Sequence, residues 1–329
     1  MIGKLLQPLN SLQLPSNLFI ASDNPITEYD RIWIRDNLYS ALAYEATGQQ
    51  KIVEKIYHAL LDLFLKFEWK IDEVIREKPT EDYKFLHPMY TKDLEEITAG
   101  WGWKQNDTIG GFLYHIGKLW DKKYNVIRNG IDLKIINKLA RYLESIQYWE
   151  DEDNGMWEEN KEIHASSVGA CVAGLKSVSN LIHIPHEVIA NGEKTLTQLL
   201  PRESQEKPVD LSLLSLICPY QITTLKQTYQ ILQNIETYLI RKKGSIRYIG
   251  DKYYMENDIE ASWTMGLPWL AICYYLLKDF DKYNHYIAMS IECLNRRMEM
   301  PELYKEDKIP NENTPLGWPQ SLLIVALSL

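Results

Sequence analysis

Two short stretches set glutamates among aromatic rings. In "DNGMWEE" (153–159) Glu158 and Glu159 follow Trp157, and in "MPELYKE" (300–306) Glu302 stands between Pro301 and Leu303, with Tyr304 next. Cleaving a glycosidic bond takes two carboxyl groups on opposite sides of it, one protonated and one ionised. A carboxyl pressed against an indole loses solvation and keeps its proton to higher pH. Glu158 or Glu159 suits the proton donor, and Glu302 is the best-framed partner; Glu306, Asp307 and Glu312 sit in looser, more solvated surroundings. The plainer alternative for 158–159 is an acidic helix start, since carboxylates favour helix N-termini.

Three further stretches mix rings with polar groups. "RIWIRDN" (31–37) supplies Trp33, Arg35 and Asp36; "WGWKQND" (101–107) supplies Trp101, Trp103, Gln105 and Asp107; "IRYIGDKYY" (246–254) supplies Arg247. The chain carries 10 Trp and 21 Tyr against only 6 Phe, a bias towards rings with a polar tip. Flat apolar faces, forked guanidinium donors and carboxylate acceptors together fit a polyhydroxylated sugar. Each of these residues also has a structural alternative: Arg35 and Asp36 as an ion pair at a helix start, Gln105 and Asp107 as caps, the tryptophans as core. Other chemistries find less support. His183 and His186 are spaced i, i+3 but lack a partner to complete a metal site, and Ser166 and Ser167 have no nucleophile elbow. His164 reads better as a buried, hydrogen-bonded imidazole than as a ligand contact. No metal or cofactor is expected.

Helices must position these stretches. Apolar residues recur at helical spacing over 34–48 and 51–71, and further helices read at about 105–121, 131–148, 163–180, 186–200, 209–217, 222–241, 259–277, 280–298 and 315–328. Alternating β-branched runs are scarce, so the expected class is all-α. Terse links ("TGQQ", "VIRNG", "HIP", "DFDK") alternate with longer, ring-rich ones at 72–104, 149–162, 242–258 and 299–314. In antiparallel hairpins every second loop falls at the same end, so the rich loops should gather on one face. Six such hairpins would close into an α/α toroid around a cavity. Eleven helices fall one short, and residues 2–13 are the candidate for the missing outer piece. No linker or composition shift divides the chain, so residues 1–329 read as a single domain.

The 329 residues carry a net charge of −9, against the basic face that nucleic acid requires. No run of about 18 apolar residues suggests a membrane span. The first residues, broken by Pro8 and Pro15, lack a signal-peptide core, and four scattered cysteines show neither metal nor disulfide spacing; the expected setting is cytoplasmic.

Taken in order, "YDRIWIRDN", "WGWKQND", "WEE", "RYIGDKYY" and "PELY…TPLGW" resemble the motifs of the glucoamylase family of glycoside hydrolases, and those of the related N-terminal domain of phosphorylase kinase α and β subunits. The resemblance spans about residues 12 to 328. It implies an (α/α)6 six-hairpin barrel and an inverting reaction on α-linked gluco-oligosaccharides. It also implies roles: Glu158 as general acid with Trp157 before it, Glu302 as general base, Trp33, Arg35 and Asp36 at the terminal glucose, Trp101, Gln105 and Asp107 near the acid, and Arg247 on the sugar. An inverting pair should lie roughly 6.5–9.5 Å apart. "QND" and "PELY" stand nearer the kinase-subunit forms, which keeps open a sugar-binding domain without turnover. The same fold acting on trehalose or an α-1,6-linked glucan is a further alternative.

Overall fold

Helices of two kinds alternate along the chain. The computed structural model describes residues 1–97, 100 and 102–329. Among these, the α-helices are α1 (Ile2–Ser11), α2 (Ile34–Ala46), α3 (Gln50–Lys66), α4 (Glu68–Arg76), α5 (Asn106–Asp121), α6 (Gly130–Ile146), α7 (Ala165–Val178), α8 (His186–Leu199), α9 (Leu214–Ile217), α10 (Leu225–Tyr238), α11 (Gly266–Leu276), α12 (Phe280–Ile291) and α13 (Gly317–Leu327). In α3 the buried residues Val53, Ile56, Tyr57, Leu60, Leu61 and Phe64 form one stripe, the pattern of a helix wet on its other side. In α2, α7, α11 and α13 nearly every residue is buried, so these helices are enclosed all round.

The enclosed helices form the inner ring. α2, α5, α7, α9, α11 and α13 touch in that order, and α13 returns to α2. Outside them stand α1, α3, α6, α8, α10 and α12, completing an (α/α)6 toroid of the all-α class. α5 and α7 meet almost backbone to backbone. A Cβ on Gly110 would come within 2.5 Å of the Ala170 carbonyl carbon and the Cys171 nitrogen.

Several boundaries differ from the sequence reading. Residues 2–11 do form the outer helix that the eleven-helix count lacked, packed on α13 and tied to it where Gln320 Nε2 donates to the Leu5 carbonyl at 2.8 Å. The helix expected over 51–71 breaks at Phe67 and restarts as α4, which packs on α6. The helix expected over 259–277 begins only at Gly266. The one expected over 280–298 stops at Ile291.

Short strands at the loop end were not anticipated, because two or three residues leave no alternation to read. β1 (Ile32–Trp33) pairs with β2 (Met89–Tyr90). β3 (Ile240–Arg241), β4 (Gly244–Ser245), β5 (Ser262–Trp263), β6 (Leu303–Lys305) and β7 (Ile309–Pro310) form one antiparallel sheet in chain order. The register Trp263↔Leu303 sets Glu302 beside the Trp263 strand, and the Thr264 amide donates to the Glu302 carbonyl at 3.0 Å.

Candidate active site

The ring-rich loops do converge. A cavity of about 950 Å³ opens at one end of the toroid, lined by residues from every one of the five stretches singled out in the sequence. Trp33, Arg35, Asp36, Trp157, Glu158, Arg247 and Glu302 all line it.

The Glu158 side is built on a tight turn. The connection from α6 to α7 is pinched where Asp153 and Glu162 exchange backbone hydrogen bonds of 3.0 and 3.1 Å. Within it the Glu158 amide donates to the Gly155 carbonyl at 3.3 Å and the Glu159 amide to that of Asn154 at 3.0 Å. Gly155 (φ 63°) and Glu158 (φ 64°) both take the left-handed conformation. For a glutamate this costs roughly 1–2 kcal/mol, and such strain persists only where the surroundings impose it. Two neighbours impose it here. The His164 ring lies against Gly155, where an added methyl would come within 2.7 Å of Nε2; a methyl on Gly102 would sit 2.8 Å from the Glu158 α-carbon. Among the described residues Trp33 donates its indole N–H to Glu158 Oε1 at 2.8 Å, whereas the Trp157 indole N–H goes to Asp210 at 2.8 Å.

Beneath the turn lies a buried charge cluster. His164 Nδ1 is 3.4 Å from Glu203. Burial opposes its charge, but Glu203 and Asp153 overcome that and push it up to about 9. Burial lifts the carboxyls of Asp153 and Asp210 to about 6. Asp153 accepts from the Gly155 amide at 3.1 Å, so cluster and turn are one hydrogen-bonded unit.

Glu302 is fully buried against solvent yet lines the cavity. Its Oε1 accepts from the Tyr29 hydroxyl at 2.7 Å; its Oε2 accepts from the amides of Asn311 at 2.5 Å and Asn313 at 2.8 Å. Burial raises its pKa above the ordinary glutamate value, and the three donors pull the other way. Asp36, also on the cavity wall, is pushed up to about 7 by burial first, then by Glu158 and Glu302, with Arg35 opposing.

The cations of the cavity are held by acids. Arg35 donates through Nε to Asp107 at 2.8 Å and through Nη2 to Gln105. Gln105 and Asp107 thus stand behind Arg35 and are not part of the cavity wall. Arg247 makes a forked pair with Asp251 at 2.7 and 2.6 Å and reaches Glu159 at 3.1 Å. Its guanidinium lies 4.4 Å from the Trp263 ring centroid and 5.2 Å from that of Tyr253. Lys161 pairs with Asp82 at the rim. Trp157 stacks on Trp318 at 6.0 Å and an interplanar angle of 25°. Trp101 lies outside the described residues; Trp103 lines the cavity and stacks on His87 at 4.4 Å.

Sequence reasoning gave no role to Tyr29, Tyr253, Trp263 or Trp318, all of which line the cavity. Tyr29, Tyr253 and Trp318 fall within the quoted stretches "YDRIWIRDN", "RYIGDKYY" and "TPLGW" and could have been weighed. Trp263 was hidden in a segment read as helix interior. Asn311 and Asn313 carry no local signal, since only the hairpin of β6 and β7 brings them to Glu302. Glu159, an open alternative to Glu158, is committed to Arg247 and to Lys207 at 2.7 Å.

A closed ring of helix hairpins with a carboxylate- and tryptophan-lined hollow at its loop end defines a six-hairpin glycosidase architecture. The chain belongs to the glycosyl hydrolases family 15, whose profile matches residues 7–184. It is similar to the skeletal-muscle phosphorylase b kinase regulatory subunit alpha of Oryctolagus cuniculus, with 24% identity over 95% of this chain and 32% of that protein. It is also similar to an uncharacterized glycosyl hydrolase of Methanocaldococcus jannaschii, with 25% identity over 93% of this chain and 52% of that one. The chain thus spans about a third of the length of the kinase subunits it matches. Among solved structures, a glycosidase in complex with glucose superposes with a TM-score of 0.83 at 15% identity, covering 99% of this chain and 96% of that one. The glucoamylase of Saccharomycopsis fibuligera superposes with 0.67 at 15% identity, covering 98% and 92%. At these identities the structural likeness speaks for the fold. Among the described residues no group of His, Cys, Asp and Glu could hold a metal ion, and no helix is long and apolar enough to cross a membrane.

Proposed function

We propose that this chain is an inverting, exo-acting α-glucoside hydrolase that releases β-glucose from α-linked oligosaccharides, acting as one domain over residues 1–329. The observation that carries the reading is that Glu158 and Glu302, far apart in sequence, line one cavity walled by tryptophans. In this mechanism Glu158 gives its proton to the leaving glycosidic oxygen as the bond to the anomeric carbon breaks. Glu302 takes a proton from water, whose oxygen bonds to that carbon from the opposite face. Asp36 and Arg35 hold the terminal glucose, Trp33 and Trp157 supply flat surface, and Arg247 reaches a sugar hydroxyl. Gln105 and Asp107 act through Arg35. The four cysteines are all free, which suits the reducing cytoplasm where we place the protein.

Proton NMR of a maltooligosaccharide digest tests this directly: β-glucose as first product supports the reading, and α-glucose or no turnover defeats it. Panels of trehalose and α-1,6-linked glucans decide linkage. A second reading, a sugar-binding domain without turnover, draws on the likeness to phosphorylase kinase regulatory subunits. Calorimetry showing oligosaccharide binding by a chain that hydrolyses nothing would favour it.

A further inference from the structure

The base side of the cavity has an asymmetry that the hydrolase reading does not require. A carboxylate oxygen offers two lone-pair directions. Oε2 of Glu302 accepts from two amide groups, Asn311 at 2.5 Å and Asn313 at 2.8 Å, so both of its directions are taken. Oε1 accepts from Tyr29 alone among the described residues. The amide of Asn313 has one permissible orientation. Its Oδ1 accepts from Thr27 Oγ1 at 2.6 Å and from Asn24 Nδ2 at 3.1 Å, so its nitrogen must face Glu302. Asn311 turns its nitrogen to the same oxygen while its own buried Oδ1 finds no partner among the described residues, a cost that a charged acceptor offsets. Tyr29, in donating to Oε1, leaves its own oxygen to accept from Tyr253 at 3.0 Å.

We propose that Asn311 and Asn313 are positioning residues that keep Glu302 ionised and fixed in rotation, so that Oε1 is the atom that takes the proton from water. The β6–β7 hairpin is the device. It folds residues 311–313 back on Glu302, whose amide donates to the Asn313 carbonyl at 3.0 Å, while the loop before α2 brings Asn24, Thr27 and Tyr29. An amide cannot accept the water proton at its nitrogen, so neither asparagine replaces the base; each acts through it. Burial raises the pKa of Glu302 and the donors hold it down, so losing a donor should raise it further.

The inference rests on the hydrolase reading for its proton, and two measurements on the full chain separate the two. Isotope-edited infrared titration, with the Glu302 band assigned from Glu302→Gln, reads the carboxyl whether or not the chain turns over. Asn313→Ala should move the Glu302 midpoint up by about one pH unit, a tenfold change in ionisation constant. The acidic limb of kcat/KM on maltotriose should move with it, while the alkaline limb stays. Asn311→Ala should do the same and serves where Asn313→Ala fails to fold. Thr27→Val, which removes one of the two donors that orient Asn313 and leaves Asn24, should give a smaller shift in the same direction. An unmoved Glu302 midpoint in both alanine variants overturns the inference. A wild-type chain without turnover whose Glu302 midpoint still moves sinks the hydrolase reading and leaves the amide assignment standing.

Discussion

Glu158 is held in a left-handed conformation by the close approach of a residue distant in sequence. The α-carbon of Gly102 lies so near the Glu158 backbone that a methyl group there would overlap it at 2.8 Å. Gly102→Ala must therefore push the turn back by several tenths of an ångström. With the carboxyl displaced and the sugar contacts otherwise kept, kcat on a maltooligosaccharide should fall about 10- to 100-fold with KM little changed. An unchanged kcat would show that the turn's position does not limit proton transfer. Replacing the carboxyls themselves should cost more: Glu158→Gln and Glu302→Gln should each lower kcat by about 10²- to 10⁴-fold, the usual span for a lost general acid or base. The residue types were legible here. "WEE" and "PEL" frame both acids in the sequence, and the family resemblance favours Glu158 over Glu159; the ion pairs of Glu159 with Arg247 and Lys207, which come from other loops, leave no local signal.

At the scale of elements, two contacts govern how firmly the site is held. α5 and α7 touch through Gly110 and Gly174, so Gly110→Ala overpacks an inner-ring seam and should destabilise the fold by about 1–3 kcal/mol or more, read from denaturant unfolding. His164, at the start of α7, carries a pKa raised to about 9 by Glu203 and Asp153 against the opposing effect of burial, with Lys207 also opposing. A raised folded-state pKa stabilises the fold fully below the unfolded value, near 6.5, and that contribution disappears as pH rises through about 9. The stability gap between wild type and His164→Gln should therefore narrow between pH 6.5 and 9.5. A gap that is constant across that window would mean the imidazole is not charged in the fold. Helix existence was readable because amphipathic stripes repeat through the outer helices. Helix ends were less so: the late start at Gly266 follows the strand Ser262–Trp263, and the stop at Ile291 gives way to turns that lead to the strand at Leu303; strands this short leave no pattern.

On the scale of the whole molecule, the charge around the cavity disfavours an anionic ligand. The chain is acidic overall, and the cations at the cavity are already paired: Arg35 with Asp107, Arg247 with Asp251 and Lys161 with Asp82. No cationic side chain among these three is left to receive a phosphate or uronate, while Asp36, Glu158 and Glu302 face the same space. A phosphorylated or carboxylated glucose should bind at least about tenfold more weakly than glucose by calorimetry, each tenfold being about 1.4 kcal/mol. Equal affinities would mean that one of those ion pairs opens to the ligand.

By itself the sequence determined the all-α class, the alternation of terse and ring-rich loops, and the list of residues equipped for sugar chemistry, because periodicity and residue type are local properties. Only the tertiary structure decided which of them meet. Ring closure from α13 to α2 brings Glu302 and Tyr29 together, the α6–α7 turn and Gly102 aim Glu158, and Asp107 is drawn behind Arg35. Hydrogen bonds and steric contacts between residues hundreds of positions apart leave no trace in spacing. Only a closed chain of packed helices brings such residues within a few ångströms of one another.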